Sequence, residues 1–246
     1  MLHALVRNTE WGPLMDLLSP AFFDVLPARA LFGELRGLSS RYLSHAALTD
    51  AYEQRSRLLE RARFPFELVR SLPRSSEDIQ DVARGADILA LYFHQVLGEG
   101  PVLLDLRRSA FARGDGHWLW KPEPAIGLWD DEFRAGCRAL YEGFYLDDPA
   151  RFSRGARVLG LGEAEAELRA QFGDTHAVMF SLREFQRRFH EVFKRCKKTK
   201  SKLHPSFLTL GLALATLYEH LEAIGAPLDV NAAFERVHAR SRTAPA

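Results

Sequence analysis

Four charged residues near the middle of the chain are of the types that hold small ligands. Asp105 lies within the short apolar run 102–106, Arg107 and Arg108 come next, and Glu123 lies beyond a tryptophan-rich segment. Carboxylates can ligate a divalent cation, and guanidinium groups bind the oxygens of phosphates and carboxylates. These residue types at this spacing predict a ligand-binding site formed by Asp105, Arg107, Arg108 and Glu123.

A second candidate is the strongly basic segment 183–202. It holds nine basic residues and two glutamates, whereas acidic residues outnumber basic ones in the rest of the chain. This local charge favours an anionic partner, either an acidic lipid surface or an acidic protein. The alternative is a solvated helix end, because lysines near a helix C-terminus complement its dipole. The patch is predicted to comprise Arg187, Arg188, Lys194, Lys197, Lys198, Lys200 and Lys202.

Motifs for metals and cofactors are scarce in this sequence. Glu235 and His238 have the Glu-x-x-His spacing of helical di-iron sites, but such sites need two of these motifs and further glutamates. No nucleophile turn, Walker-type loop or dinucleotide fingerprint occurs. We therefore expect no metal site and no cofactor. Cys137 and Cys196 do not match a zinc-binding spacing, and we expect both to be free thiols.

The elements that position these residues are predicted to be mainly helical. With 246 residues and 47% apolar residues, the chain can form one sizeable core. Prolines and glycines predict several short helices in residues 1–75, followed by a helical core in residues 76–225 and a C-terminal tail in residues 226–246. We predict a single compact multi-helix domain.

Composition also limits the partners and the location of the protein. The formal net charge of +1 provides no overall field that would attract nucleic acid, and the basic segment lacks interleaved exposed aromatic residues. The longest apolar run, residues 207–218, is shorter than the roughly 20 residues of a membrane span. We expect this run to be a buried core helix. The protein is predicted to be cytoplasmic, either free or peripheral to a membrane.

One break from helix is predicted at residues 101–121. The runs 102–106 and 117–121 have the length and composition of strands, and Gly114-Asp115-Gly116 supplies the flexible backbone of a tight reversal. We predict one short β-hairpin in which these two runs pair, with a long connection where a ligand site could lie. The alternative is a salt-bridged loop that only stabilises the hairpin, formed by Asp105, Arg107, Arg108, Arg113 and Asp115.

The succession of residues 92–105, 114–120, 128–134, 140–148 and 203–221 has a recognisable order. It resembles the C-lobe of the UbiB-like atypical kinases, in which a helix leads into a short strand, a catalytic loop, a second strand and further helices. The similarity covers about residues 86–225, in spacing more than in identity.

The resemblance implies that the loop after the first strand supplies an aspartate and an asparagine, and that a later Asp-Phe-Gly holds magnesium. This sequence keeps only Asp105. The place of the asparagine falls near Ala110, and residues 121–127 contain no Asp-Phe-Gly, which leaves Glu123 as the nearby carboxylate. No lysine precedes Lys121, although phosphoryl transfer needs a cation on the nucleotide phosphates. The resemblance therefore implies a degenerate kinase-like protein without catalysis.

Three functional hypotheses remain open from the sequence. We predict a non-catalytic interaction or regulatory protein that binds an anionic or lipid-like partner through residues 183–202. The first alternative is an atypical kinase-like protein, with or without remaining catalysis, that binds a nucleotide, a phosphate or an isoprenoid-type ligand near Asp105, Arg107 and Glu123. The second is a helical metal-dependent oxidase with an unusual set of ligands.

Overall fold

The computed structural model describes residues 44–73, 82–173 and 176–243, together with residues 24–26, 32–34, 36–38 and 40. These residues are mainly helical with two small sheets, which confirms the predicted fold class at this level. The helices are α1 (His45–Arg61), α2 (Val82–Leu97), α3 (Asp131–Tyr145), α4 (Pro149–Val158), α5 (Glu165–Phe172), α6 (Leu182–Thr199), α7 (Phe207–Ile224) and α8 (Val230–Thr243). The strands are β1 (Phe66–Leu68), β2 (Val102–Leu103), β3 (Phe111–Arg113), β4 (Trp118–Trp120) and β5 (Ile126–Gly127).

A hairpin is present in the predicted region, but the predicted pairing of its strands is wrong. β4 pairs antiparallel with β3, and the reversal between them includes Gly116 at a φ of 76°. β2 instead pairs antiparallel with β5, so residues 102–106 do not form the partner of β4. The loop between β2 and β3, which includes Asp105, therefore connects two separate sheets.

The two ends of the chain also differ from the prediction. Within the predicted short-helix segment 1–75, α1 has 17 residues, and β1 pairs in parallel with β4. Much of this segment lies outside the described residues. Within the predicted tail at 226–246, residues 230–243 form α8, which packs on α2 and buries Phe234 between the rings of Phe93 and Tyr145. A short amphipathic helix can look like a tail in sequence because its stability comes from tertiary packing.

α7 is the buried core helix that the sequence predicts. Its length and mean hydropathy of 1.2 would suit a membrane span, but 72% of it is buried inside the fold. The few polar residues of α7 fix the loop after β2. Thr216 Oγ1 accepts from Leu106 N and donates to Leu104 O, at 3.2 and 2.6 Å, and His220 Nδ1 lies 2.8 Å from Leu106 O.

α2 supports the other end of the same loop. Its buried Gln95 accepts from Leu103 N at 2.9 Å and donates to Leu103 O at 3.3 Å, which satisfies the outer edge of β2. A buried polar group that lacks such a partner is costly, so this amide constrains the position of β2 strongly. The loop that carries Asp105 is therefore held between α2 and α7.

Candidate functional site

Asp105 is the centre of a tight polar cluster. Its side chain is 2% exposed and forms a bidentate pair with Arg107, with Nε donating to Oδ1 at 2.8 Å and Nη2 donating to Oδ2 at 3.0 Å. The backbone N–H groups of Arg107 and Glu123 donate to the same carboxylate at 3.1 and 2.9 Å. A carboxylate has about four favourable acceptor positions, and the protein itself occupies four.

Glu123 joins this cluster through its backbone, while its side chain lies close to Tyr52. The Tyr52 hydroxyl donates to Pro122 O at 2.7 Å. Burial, together with the carboxylates of Glu123 and Asp105, raises the pKa of Tyr52 to about 12. The phenol therefore remains a protonated donor that ties α1 to the segment after β4.

The structure thus brings together Asp105, Arg107 and Glu123 and places the Arg108 side chain elsewhere. The backbone N–H of Arg108 donates to Glu219 Oε2 at 3.1 Å, and its side chain lines a separate cavity. For Asp105 and Arg107, the geometry matches the salt bridge of the second sequence alternative, whereas Arg108, Arg113 and Asp115 form no ion pair with Asp105. Asp105 and Arg107 satisfy each other and hold the loop, and no acceptor site on Asp105 is left for a ligand.

The cavity has a volume of about 400 Å³ and lies where α2, α7, β3 and β4 meet the loop before β3. The charged residues among its described lining are Arg84, Arg108, Arg113 and Glu219, and the Trp118 ring forms part of its wall. None of the residues of the Asp105 cluster lines it. We call it the arginine cavity.

The Trp118 ring is held in a fixed orientation at this cavity. Its Nε1 donates to Asp87 Oδ2 at 2.9 Å, and Asp87 Oδ1 in turn lies 2.8 Å from Arg236 Nη2. The guanidinium carbons of Arg113 and Arg84 lie 4.6 and 5.4 Å from the centroid of the ring. Cation–π contacts of this kind position both cations.

Two buried polar atoms in this part of the molecule lack a hydrogen-bond partner among the described residues. They are Nε of Arg84, which is 6% exposed, and Nε2 of His220, which is 1% exposed. Burial and the nearby Arg84 charge lower the pKa of His220 to about 3, so the imidazole is neutral at physiological pH. Burial also lowers the pKa of Arg84, and the Glu219 carboxylate partly offsets this effect.

The predicted basic patch lies on α6 and on the residues that follow it. The apolar side of α6 is buried and includes Phe185, Phe189, Phe193 and Cys196. The opposite side is exposed, and it contains every residue of the predicted patch, namely Arg187, Arg188, Lys194, Lys197, Lys198, Lys200 and Lys202. We call this surface the α6 basic face.

Acidic residues neutralise only part of the α6 basic face. Glu184 lies 2.7 Å from Arg187 and 3.8 Å from Arg188, and the hydrogen bond from Arg187 lowers the pKa of Glu184. Lys194 is 3.7 Å from Glu191, and Lys197 is 2.7 Å from Asp24. By contrast, the exposed Lys198, Lys200 and Lys202 form no ion pair with any described residue.

The residues of the Glu-x-x-His motif do not converge on one site. His238 Nδ1 lies 3.5 Å from Glu142 Oε1, whereas Glu235 accepts from Asn231 at 2.9 Å. Among the residues that the structure describes, no cluster of three or more histidine, cysteine, aspartate or glutamate side chains could hold a metal ion. Cys137 and Cys196 are buried free thiols, as the sequence predicts.

A second cavity, of about 90 Å³, lies within the aromatic core between α2, α3, α5, α6 and α7. Its lining is almost entirely apolar and includes Phe93, Tyr141 and Phe185. It is smaller than the cavity of about 150 Å³ that holds benzene in an engineered protein. A lipid or isoprenoid chain therefore does not fit this cavity without repacking of the core.

Sequence reasoning missed Arg84, Trp118 and Glu219 as lining residues of one cavity, and it missed His220 as a contact of the cavity residue Phe111. One signal was available, because Arg84, Glu219 and His220 are polar residues within otherwise apolar helices. Buried polar residues need partners, so such interruptions indicate contact with another element. Which element they contact depends on the tertiary fold.

Comparison with known proteins provides no further constraint, since no known protein family and no curated protein matches this sequence.

Proposed function

We propose that the protein is a non-catalytic interaction protein that docks onto an anionic membrane surface through the α6 basic face. The observation that carries this proposal is the exposed group Lys198, Lys200 and Lys202, which has no ion-pair partner among the described residues. A cluster of four to eight basic residues at a membrane surface gains about 1 kcal/mol of binding free energy per residue.

The shape and chemistry of this face favour a membrane over an acidic protein. Lysine ammonium groups are compact charges on flexible stems, which suit a diffuse layer of anionic headgroups more than a fixed geometry. The aromatic side of α6 is buried in the fold, so α6 is not available to insert among lipid chains. Binding is therefore electrostatic and decreases with salt.

The absence of catalysis is supported by the Asp105 cluster. A carboxylate that accepts a proton or holds magnesium must leave an acceptor position open, whereas Asp105 already accepts four hydrogen bonds from Arg107 and Glu123. The order of α2, β2, the Asp105 loop, β4 and α3 is also the order expected of a UbiB-like C-lobe. We therefore also propose that the fold is a kinase-like scaffold that no longer catalyses phosphoryl transfer.

The test is vesicle binding by the full chain and by a charge-reversal variant. Wild-type protein is expected to sediment with vesicles containing phosphatidylserine and not with neutral phosphatidylcholine vesicles. Replacing Lys198, Lys200 and Lys202 together by Glu removes about 3 kcal/mol or more, which weakens binding at least about 100-fold. A matched control replaces exposed Arg57, Arg61 and Arg154 by Glu, with the same change of net charge.

The outcomes separate the partners. Equal losses in the two variants would show that net charge alone drives binding and would contradict a dedicated face. The proposal would also be overturned if wild-type protein bound neither the phosphatidylserine vesicles nor the phosphatidylcholine vesicles. Retention of wild-type protein, but not the lysine variant, on immobilised polyglutamate in the absence of vesicle binding would identify an acidic protein as the partner.

A further inference from the structure

The cavity of about 90 Å³ is a gap inside the aromatic core, and we call it the aromatic cavity. Its lining comes mainly from α2, α3, α5, α6 and α7, and its described lining includes no charged residue. Protein interiors are close-packed, and atoms that line a void lose dispersion contacts that a filled core would supply. A molecule that fills the aromatic cavity would therefore restore those contacts.

The polar side chains of this lining are bonded mainly to one another. The hydroxyls of Tyr92 and Tyr141 form a hydrogen bond, and burial raises the pKa of both phenols, so they stay uncharged. Gln171 Nε2 donates to the Tyr218 hydroxyl at 3.5 Å, and Gln171 Oε1 is fully buried and does not face the cavity. Because a buried water molecule needs two to four polar partners, this lining favours an apolar occupant over water.

The aromatic cavity lies close to the surface of the fold. Four of its lining residues, Phe172, Val178, Leu214 and Tyr218, are only half-buried. Val178 belongs to the connection between α5 and α6, and two backbone hydrogen bonds of 2.9 and 3.0 Å join it to Leu228. The path from solvent to the cavity is therefore short, and a small molecule can reach it without unfolding of the core.

We infer that the aromatic cavity binds an uncharged apolar molecule smaller than benzene, such as a short hydrocarbon. Benzene, with its six carbon atoms, binds in an apolar cavity of about 150 Å³. By proportion, a cavity of about 90 Å³ suits a molecule with about four non-hydrogen atoms. The α6 residues in the lining, Phe185 and Phe189, lie on its buried side, opposite the α6 basic face, so the inference does not rest on the membrane proposal.

The experiment records methyl NMR spectra of the full chain, with leucine and valine methyl groups labelled, under increasing xenon pressure. Xenon is expected to shift the signals of the lining residues Leu168 and Leu217 until they saturate, and to leave those of Leu48 on α1 unchanged. Helium at the same pressures is the control for compression. Isobutane, which has four carbon atoms, is expected to give the same pattern, whereas benzene is not. Equal shifts under helium and xenon, or xenon shifts spread evenly over the leucines and valines, would overturn the inference, and saturable benzene shifts in wild type would overturn the size limit.

Two substitutions at one lining residue test the assignment to this cavity. Leu214 is half-buried, so both variants are expected to fold. Leu214→Phe fills the cavity and is expected to abolish the saturable xenon shifts, whereas Leu214→Ala enlarges it and is expected to gain benzene binding. The matched controls are Leu48→Phe and Leu48→Ala, at a half-buried helical leucine outside the described lining, and both are expected to behave like wild type. Saturable xenon shifts that persist in Leu214→Phe, or that are lost equally in Leu48→Phe, would contradict the inference. Leu214→Ala without benzene binding would contradict the size limit.

Discussion

Replacement of Asp105 by asparagine is expected to destabilise the fold strongly. The amide retains the shape of the side chain but removes the charge that balances Arg107, and it turns one acceptor into a donor. That donor would face either the Arg107 guanidinium or the Glu123 N–H group. Removing one partner of a buried ion pair costs about 3–5 kcal/mol.

The exposure of the two side chains decides where the destabilisation falls between about 3 and 5 kcal/mol. Asp105 is 2% exposed and Arg107 is 12% exposed, so the orphaned guanidinium retains some contact with water. We therefore expect a loss of about 3 kcal/mol in the free energy of unfolding for Asp105→Asn. For a chain of this length, that loss lowers the thermal midpoint by about 6–12 °C.

The assay is urea unfolding followed by far-UV circular dichroism, with Asp115→Asn as the matched control. Asp115 is exposed near the tip of the β3–β4 hairpin, and its variant is expected to lie within about 0.5 kcal/mol of wild type. A double variant, Asp105→Asn with Arg107→Leu, is expected to be more stable than the sum of the two single changes predicts, because no buried charge is left unpaired.

An unchanged or increased stability of Asp105→Asn would refute this reasoning. Replacing a catalytic carboxylate that lies in unfavourable surroundings often makes the protein more stable, since activity and stability compete at such positions. The sign of the effect therefore separates a structural aspartate from a catalytic one.

Two further changes have signs that follow from local geometry. Because the pKa of His220 is lowered to about 3 from its ordinary 6.5, the unfolded chain takes up a proton that the folded protein does not, and stability falls as the pH drops below 6.5. Between pH 7 and pH 5, the contribution of neutral His220 to the free energy of unfolding falls by up to about 2 kcal/mol in wild type and is absent in His220→Gln. Unfolding curves of the two proteins at both pH values measure this difference. Lys200 has a φ of 57° at the end of α6, a backbone conformation that favours glycine. Lys200→Gly is therefore expected to stabilise the protein by about 1 kcal/mol. The control Lys198→Gly makes the same charge change inside the helix and is expected to destabilise the protein by about 1 kcal/mol. Equal effects of the two glycine variants, or identical pH profiles for wild type and His220→Gln, would contradict these assignments.

Most of the helices other than α8 could be predicted from sequence, because their boundaries depend on neighbouring residues. Asp130 caps α3 by accepting from Phe133 N, Asp148 caps α4 in the same way, and Gly225 ends α7 with a φ of 67°. Each of these signals is local, since the capping group and the backbone that it satisfies lie within one turn.

The strand pairing could not be predicted because it depends on contacts that are distant in sequence. β2 and β5 are two residues each, so neither carries enough alternation to select a partner. β4 has tryptophans at both ends, and it pairs with β3 nearby and with β1 about fifty residues before it. The position of β2 is set instead by Gln95 and Thr216, which belong to the helices on either side of it.

The charged residues of the candidate site could be identified but not paired. Asp105, Arg107, Arg108 and Arg113 lie within a short stretch, and their spacing is equally consistent with one ligand site and with a salt-bridged loop. The structure separates them, because the bidentate contact uses Arg107 and the two other arginines line the cavity. The deciding partners come from α2 and α7, which are far away in sequence.

The uneven distribution of arginine and lysine has a physical basis in the fold. Arg55, Arg134 and Arg138 donate to backbone carbonyl groups at residues 97–101, where α2 ends and its last carbonyls lack intrahelical partners. A planar guanidinium can bond two such carbonyls at once, as Arg55 does with Glu99 and Pro101, whereas an ammonium presents a single charge centre.

Lysines are used differently, since five of the six lie within residues 194–202 and are exposed. If these lysines serve a solvated surface, vesicle binding should tolerate conservative substitution of any one of them. Lys198→Arg should leave vesicle binding nearly unchanged, because only charge matters at a diffuse surface. A clear loss of vesicle binding by Lys198→Arg would contradict a purely electrostatic interaction with the membrane surface.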